Sequence, residues 1–233
     1  YPGYNEILTG KADSTINSNA KIYNKNVTVL EKLNQTNNYK NKIAAFASWD
    51  VFPYIINDKR SGIPVNAGYM QEFNIKTPIV DYINKNQIRT PVIWENVRLD
   101  VYTHNLALEY IKKKRPKLVY IAYGETDDFA HGGKYDFYIN SLNYTDNMIA
   151  ELWGYVQSNK FYKDNTYFII TTDHGRGLME DWSGHGTSQA SWLAILGPNI
   201  EKTGLVEGEF FTNQIAETIM QISKKSKTKI PTD

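Results

Sequence analysis

The chain has 233 residues, with 26 Lys and Arg against 25 Asp and Glu, so its net charge of +1 offers no electrostatic footprint for nucleic acid or an acidic membrane. It has no cysteine, which excludes disulfides, thiolate metal ligands and a cysteine nucleophile, and leaves any metal site to His and Asp. No apolar run approaches the roughly 18 residues of a membrane span, and the length suits one domain, read here as residues 1–223 with a basic tail over 224–233 expected to be disordered.

Taken in order, Tyr1 to Gly10 reads as a turn into a short helix, with Pro2 and Gly3 at its start and Gly10 as its stop. Lys11 to Lys25 is polar and Asn-rich, a surface excursion. Asn26 to Asn34 predicts a helix with Val27, Leu30 and Leu33 on one face. Ile43 to Ser48 is a short apolar strand, Trp49 to Ile56 turns back as a helix, and Asp58 to Ala67 reads as loop. Helical periodicity returns over Thr77 to Lys85 and Asn96 to Lys114. The second of these directs Val97, Val101, Leu108 and Ile111 inward, and its basic end suits the helix dipole before Pro116 closes it. His104 lies inside this helix without an acidic or glycine neighbour and reads as a packing or surface residue.

Leu118 to Tyr123 is a second buried strand, running into Gly124-Glu125-Thr126-Asp127-Asp128-Phe129-Ala130-His131-Gly132-Gly133. A long helix then spans Tyr135 to Ser158, with Ile139, Leu142, Ile149, Leu152 and Val156 spaced for burial. Asn165 to Thr172 predicts a third buried strand, delivering Asp173 and His174, and a glycine-rich loop leads to Gly184-His185-Gly186. Trp192 to Leu196 is a further strand, and Phe211 to Ser223 a closing helix with Thr212 as its cap. Strands alternating with helices predict a layered α/β fold.

The histidines locate the chemistry. There are four, and His131, His174 and His185 each stand beside glycine in the second half of the chain. Asp127 and His131 are four residues apart, so one helical turn or a compact loop would put both on one side, although this spacing alone is more often that of a capped helix with a surface histidine. Asp173-His174 at a strand end is the stronger signal, because open α/β sheets build their sites at the carboxyl ends of strands. Three imidazoles and two carboxylates match the N/O donor set of zinc or manganese. They exceed what one structural ion needs and fit two catalytic ions about 4 Å apart, the arrangement that most often serves phosphoryl transfer.

Asp-x-x-x-His, Asp-His-Gly and Gly-His-Gly, in this order at strand ends, resemble the alkaline phosphatase superfamily, and within it type I phosphodiesterases and nucleotide pyrophosphatases. The resemblance implies a three-layer α/β/α sandwich with a mixed, mostly parallel central sheet. It implies two divalent ions, zinc or manganese, with Asp127, His131 and His185 on one and Asp173 and His174 on the other. Its nucleophile, a Thr or Ser, would stand immediately before Tyr1, and an aspartate of the preceding strand would complete the second ion's ligands. Both lie outside the chain, so a fragment lacking its first strand, and inactive as such, is expected. Asn19 falls where the family holds a phosphoryl oxygen, with Asn17 nearly as well placed. Tyr4 stands where sulfatases carry an arginine, which argues against sulfate esters. The expected substrate is a phosphodiester small molecule. Phosphomonoester hydrolysis and a non-catalytic, metal-stabilised binding domain remain the alternatives, and relatives of this kind are often exported or periplasmic.

Overall fold

Strand β1 (Ile43–Ala47) is buried at every residue and divides its side chains between two clusters. Ile43, Ala45 and Ala47 face one, Ala44 and Phe46 the other, as the two-residue period of a central strand requires. The computed structural model describes residues 1–72, 74–185, 189–201 and 204–225. In it β2 (Val65–Ala67) and β3 (Leu118–Ala122) flank β1, both parallel to it, with Ala45 opposite Val65 on one side and Tyr120 on the other. β4 (Phe168–Thr171) and β5 (Leu193–Leu196) form a separate antiparallel pair.

Helices cover both faces of the parallel sheet. On one lie α1 (Pro2–Thr9), α2 (Val29–Asn34) and α3 (Phe52–Ile56), contributing Leu8, Leu30, Phe52 and Ile55 to the larger cluster. α4 (Asp58–Ser61) follows α3, both bounded by Asn57 in the left-handed conformation. On the other face, α5 (Pro78–Asn86) and α6 (Asp100–Lys114) pack Val80, Ile83, Leu106 and Ala107 against Phe46. Burying Phe46 contributes about 1.5–3 kcal/mol. α7 (Glu125–His131) follows β3, and α8 (Tyr135–Ser158) places Leu152 and Val156 on Leu108 and Ile111 of α6. α9 (Gln214–Lys225) returns to the first face with Ile215 and Ala216.

The layered α/β architecture is therefore present, with parallel and antiparallel pairing both represented. Several local expectations change. The segment read as loop over 58–67 holds α4 and β2. Val27 precedes its helix, which begins after the capping residue Thr28, and is exposed, as is Val101 on α6. Ile139 and Leu142 of α8 are also exposed, because only the second half of that helix meets α6. β4 is half-buried throughout, where its apolar run predicted full burial. Thr212 does not cap α9; its hydroxyl donates to Glu6 Oε1 (3.0 Å), a charged acceptor that joins α9 to α1. Lys224 and Lys225, expected in the tail, extend α9, while 226–233 and the motif residues Gly186 and Thr187 lie outside the described residues. Among the described residues no helix is long and apolar enough to cross a membrane.

Candidate metal centre

The carboxyl end of β3 turns into α7 at Gly124, where a Cβ would lie 2.8 Å from Val97 Cγ1, so the turn needs glycine for close approach. With no side chain of its own to cap α7, the turn is held from α6. The Asp100 carboxylate accepts the backbone N–H groups of Gly124 (2.8 Å) and Glu125 (3.0 Å), and Glu125 Oε1 accepts the N–H of Asp100 (2.7 Å). Two helix starts thus satisfy each other's free donors. Asp100 also accepts from Ser48 Oγ at the end of β1. The fully buried Arg98 beside it donates to Thr103 Oγ1 (2.8 Å) and Asn66 Oδ1 (2.6 Å), adding β2. Burial pushes the Asp100 carboxyl up to about 7, with Glu125 adding to the rise and the three hydrogen bonds opposing it.

On α7, Asp127 and His131 stand one turn apart, with His131 Nε2 3.4 Å from Asp127 Oδ2. Asp173 and His174 follow β4, and His174 Nε2 lies 3.6 Å from both Asp127 Oδ1 and Asp173 Oδ2. His185 comes from the loop after the 3-10 turn Met179–Ser183, its Nε2 3.8 Å from Asp127 Oδ1. Its ring centroid is 4.1 Å from that of His174 and 4.6 Å from that of His131. All five residues singled out in the sequence therefore meet, with Asp127 between the three imidazoles. Donor atoms of Asp127, His174 and His185 lie within 4.8 Å of one another. That grouping cuts across the two ligand sets the resemblance implies.

The separations are informative. At 3.4–3.8 Å the imidazole nitrogens are too far from the carboxylates for good hydrogen bonds. They match the roughly 3.3–3.6 Å between donors that share one tetrahedral ion at zinc bond lengths. His174 Nδ1 lies 2.9 Å from the Gly175 carbonyl, to which a ring nitrogen can only donate. Its proton is therefore on Nδ1, and Nε2 offers a lone pair toward the carboxylates.

Burial raises the Asp173 carboxyl, reinforced by Asp127, and raises Asp128 to about 6 for the same two reasons. Burial and the neighbouring His174 lower His185. A cation among these groups would hold the carboxylates ionised and the imidazoles neutral. Two participants were not read from the sequence. Arg176 contacts the Asp127 carboxylate, donates to the Asp127 carbonyl (3.1 Å) and to Ser183 O (3.3 Å), and so ties α7 to the loop carrying His185. Its place in Asp-His-Gly-Arg-Gly was the available signal. Asp128 was signalled only by the acidic doublet.

Asn19 sits apart from the five, where its Oδ1 accepts the Tyr1 amine (2.6 Å). Pro2 and Gly3 open α1 against β4: a Cβ on Gly3 would lie 2.5 Å from the Asp173 carbonyl oxygen. Tyr1, Asn17, Asn19, Asp127, His131, Asp173, His174 and His185 all line one large groove. His104 is remote from the cluster and buried, its ring nitrogens engaged by Tyr123 Oη (2.9 Å) and Glu151 Oε2 (3.0 Å), in keeping with its packing role.

A family model described as the Metalloenzyme superfamily matches residues 100–225, more than half of the chain, and spans all five clustered residues. The chain belongs to the Metalloenzyme superfamily. This places it in the alkaline phosphatase-like group, with metal-ion binding and an enzyme-like domain as family properties. The Metalloenzyme match begins at Asp100, the residue that caps α7, so the hydrogen bonds among Asp100, Gly124 and Glu125 and the five clustered residues fall within it. No curated protein matches the chain.

Proposed function

We propose that this domain is a metal-dependent hydrolase of phosphoric esters, of the phosphodiesterase or nucleotide pyrophosphatase type. The observation that carries the reading is the convergence of Asp127, His174 and His185, with His131 and Asp173 beside them, at separations suited to shared cations. The donor set fits two divalent ions, zinc first and manganese second: Asp127, His131 and His185 would hold one, Asp173 and His174 the other. Such ions supply Lewis acidity, withdrawing charge from the phosphoryl and leaving oxygens.

The chain's own residues supply position. Asp127 presents one carboxylate oxygen toward His131 and the other toward His174 and His185, which makes it the carboxylate common to the cluster. Asn19, with Oδ1 committed to the Tyr1 amine, has amide N–H groups to offer a phosphoryl oxygen. The nucleophile in this reading is a Thr or Ser joined to the amino group of Tyr1. That group lies next to Asn19. None of the five clustered residues serves as a general base.

The test uses the polypeptide that includes the residues encoded ahead of Tyr1, loaded with zinc or manganese and offered bis(4-nitrophenyl) phosphate and 4-nitrophenyl phosphate. Cleavage of the diester, abolished in His185→Ala, is expected. Cleavage of the monoester alone would replace the diesterase reading with a phosphomonoesterase. Neither reaction at full metal occupancy would overturn the enzyme and leave a metal-stabilised binding domain.

A further inference from the structure

The turn from β3 into α7 is fixed residue by residue from the start of α6. Tyr123 Oη meets His104 Nδ1 (2.9 Å), the Gly124 N–H donates to Asp100 Oδ1 (2.8 Å) and the Glu125 N–H to Asp100 Oδ2 (3.0 Å). The Gly124 carbonyl in turn accepts the N–H groups of Asp127 (3.1 Å) and Asp128 (3.2 Å). Asp100 is thus joined to the Asp127 backbone through a single glycine. On its other side Asp100 is tied to the sheet. Ser48 Oγ, just after β1, donates to it and lies 2.8 Å from Thr103 Oγ1, and Arg98 leads from Thr103 to Asn66 of β2. All five members of this network are buried. Burying ionised groups is costly, and apolar side chains of the same volume often give equal or greater stability, so the advantage of such a network lies in geometry. Hydrogen bonds are directional, and a fully satisfied buried network holds one arrangement.

We propose that Asp100 is a positioning residue of the metal centre, setting through the β3–α7 turn where Asp127 and His131 stand. Among the described residues the Asp100 carboxylate bonds to Ser48, Gly124 and Glu125, and to none of the five clustered residues, so its influence on them passes through the backbone. The element it holds carries the carboxylate that all three imidazoles approach: Asp127 lies 3.4–3.8 Å from Nε2 of His131, His174 and His185. A constellation of this kind works when its members are held within about 0.5 Å of their productive places. A small displacement of α7 would therefore degrade the site while leaving the helix folded. The inference rests on the cluster being a metal site, and it adds a residue that no contact with the cluster would have singled out.

Cobalt(II) titration followed by its visible ligand-field bands tests this, because it reads affinity and coordination geometry together. The chains compared are the unaltered one, Asp100→Ala, Asp100→Asn and Glu125→Ala, each kept below its unfolding transition as monitored by circular dichroism. The control is Ile83→Ala, which opens a cavity under α5, an element that makes none of these hydrogen bonds. Asp100→Ala should bind cobalt about 10-fold more weakly and with shifted bands. Asp100→Asn, which keeps the volume and one acceptor oxygen, should fall between it and the unaltered chain, and Ile83→Ala should lose thermal stability with affinity and bands unchanged. Should Asp100→Ala fail to fold, Asp100→Asn and Glu125→Ala still carry the comparison. Cobalt bound alike by the unaltered chain and by every Asp100 and Glu125 variant would overturn this inference alone. So would an equal weakening in Ile83→Ala, since general stability would then be the cause. An unaltered chain that binds no cobalt would overturn the metal centre and this inference with it.

Discussion

At the residue scale, His174 carries most of the metal reading, because its Nδ1 contact with the Gly175 carbonyl fixes the tautomer that frees Nε2. His174→Ala should weaken zinc binding by about 100-fold, and His174→Gln, which keeps polarity without the imidazole, should not restore it. Isothermal titration with zinc checks this; unchanged affinity in both variants would remove His174 from the site. Binding should also weaken as pH falls, since each imidazole must be neutral to donate. Burial and His174 hold His185 below its ordinary pKa, so at that residue the loss sets in below about pH 6.5. Zinc affinity that stays constant from pH 8 to about pH 5 would contradict imidazole ligation. The clustered histidines were legible because histidine is scarce here and three of the four stand beside glycine. Arg176 was not, because its place in Asp-His-Gly-Arg-Gly puts it near the site but does not report that its guanidinium reaches Asp127, 49 positions away.

At the element scale, the position of α7 depends on α6. Asp100 and Glu125 cap each other's helices across 25 positions of sequence. Propensity arguments read a helix start from the residues just before it, and Gly124 carries no side chain to read. The sign of the pH effect follows from the raised folded-state pKa. Asp100 titrates near 7 when folded and near its ordinary value when unfolded, so its contribution to stability is fully present below about pH 4 and lost as pH rises through 7. Urea unfolding at pH 5 and pH 8 should therefore show a smaller loss of stability across that interval for Asp100→Asn than for the unaltered chain, measured without metal. Equal losses would show that the carboxyl is ionised throughout. Glu125→Ala, which removes one cap, should cost about 1 kcal/mol in the same assay; no change would mean that the Asp100 N–H finds another acceptor.

At the scale of the whole molecule, the strands β1 and β3 and the helix α8 were readable because each is a single run of clear period. β2 was missed because it is only three residues long, too short to display alternation, and follows Pro64. That the strands divide into two sheets was beyond the sequence, since pairing is decided by neighbours far along the chain. The divided sheet and the cluster at its edge make stability a readout of metal. Zinc at about 100 times its dissociation constant should add roughly 2.7 kcal/mol, enough to raise the melting temperature by roughly 5–10 °C in a chain of this size. A melting temperature indifferent to zinc and to chelator would place the ion outside the fold.

The most direct test of the metal centre is the elemental metal content of the purified chain after dialysis against metal-free buffer, set beside Asp127→Ala and His185→Ala treated identically. The account predicts a bound divalent transition metal in the unaltered chain and a marked loss in both variants. A chain that retains no transition metal, or variants that retain as much as the unaltered chain, would contradict it and leave the convergence of Asp127, His131, Asp173, His174 and His185 without a ligand to explain it.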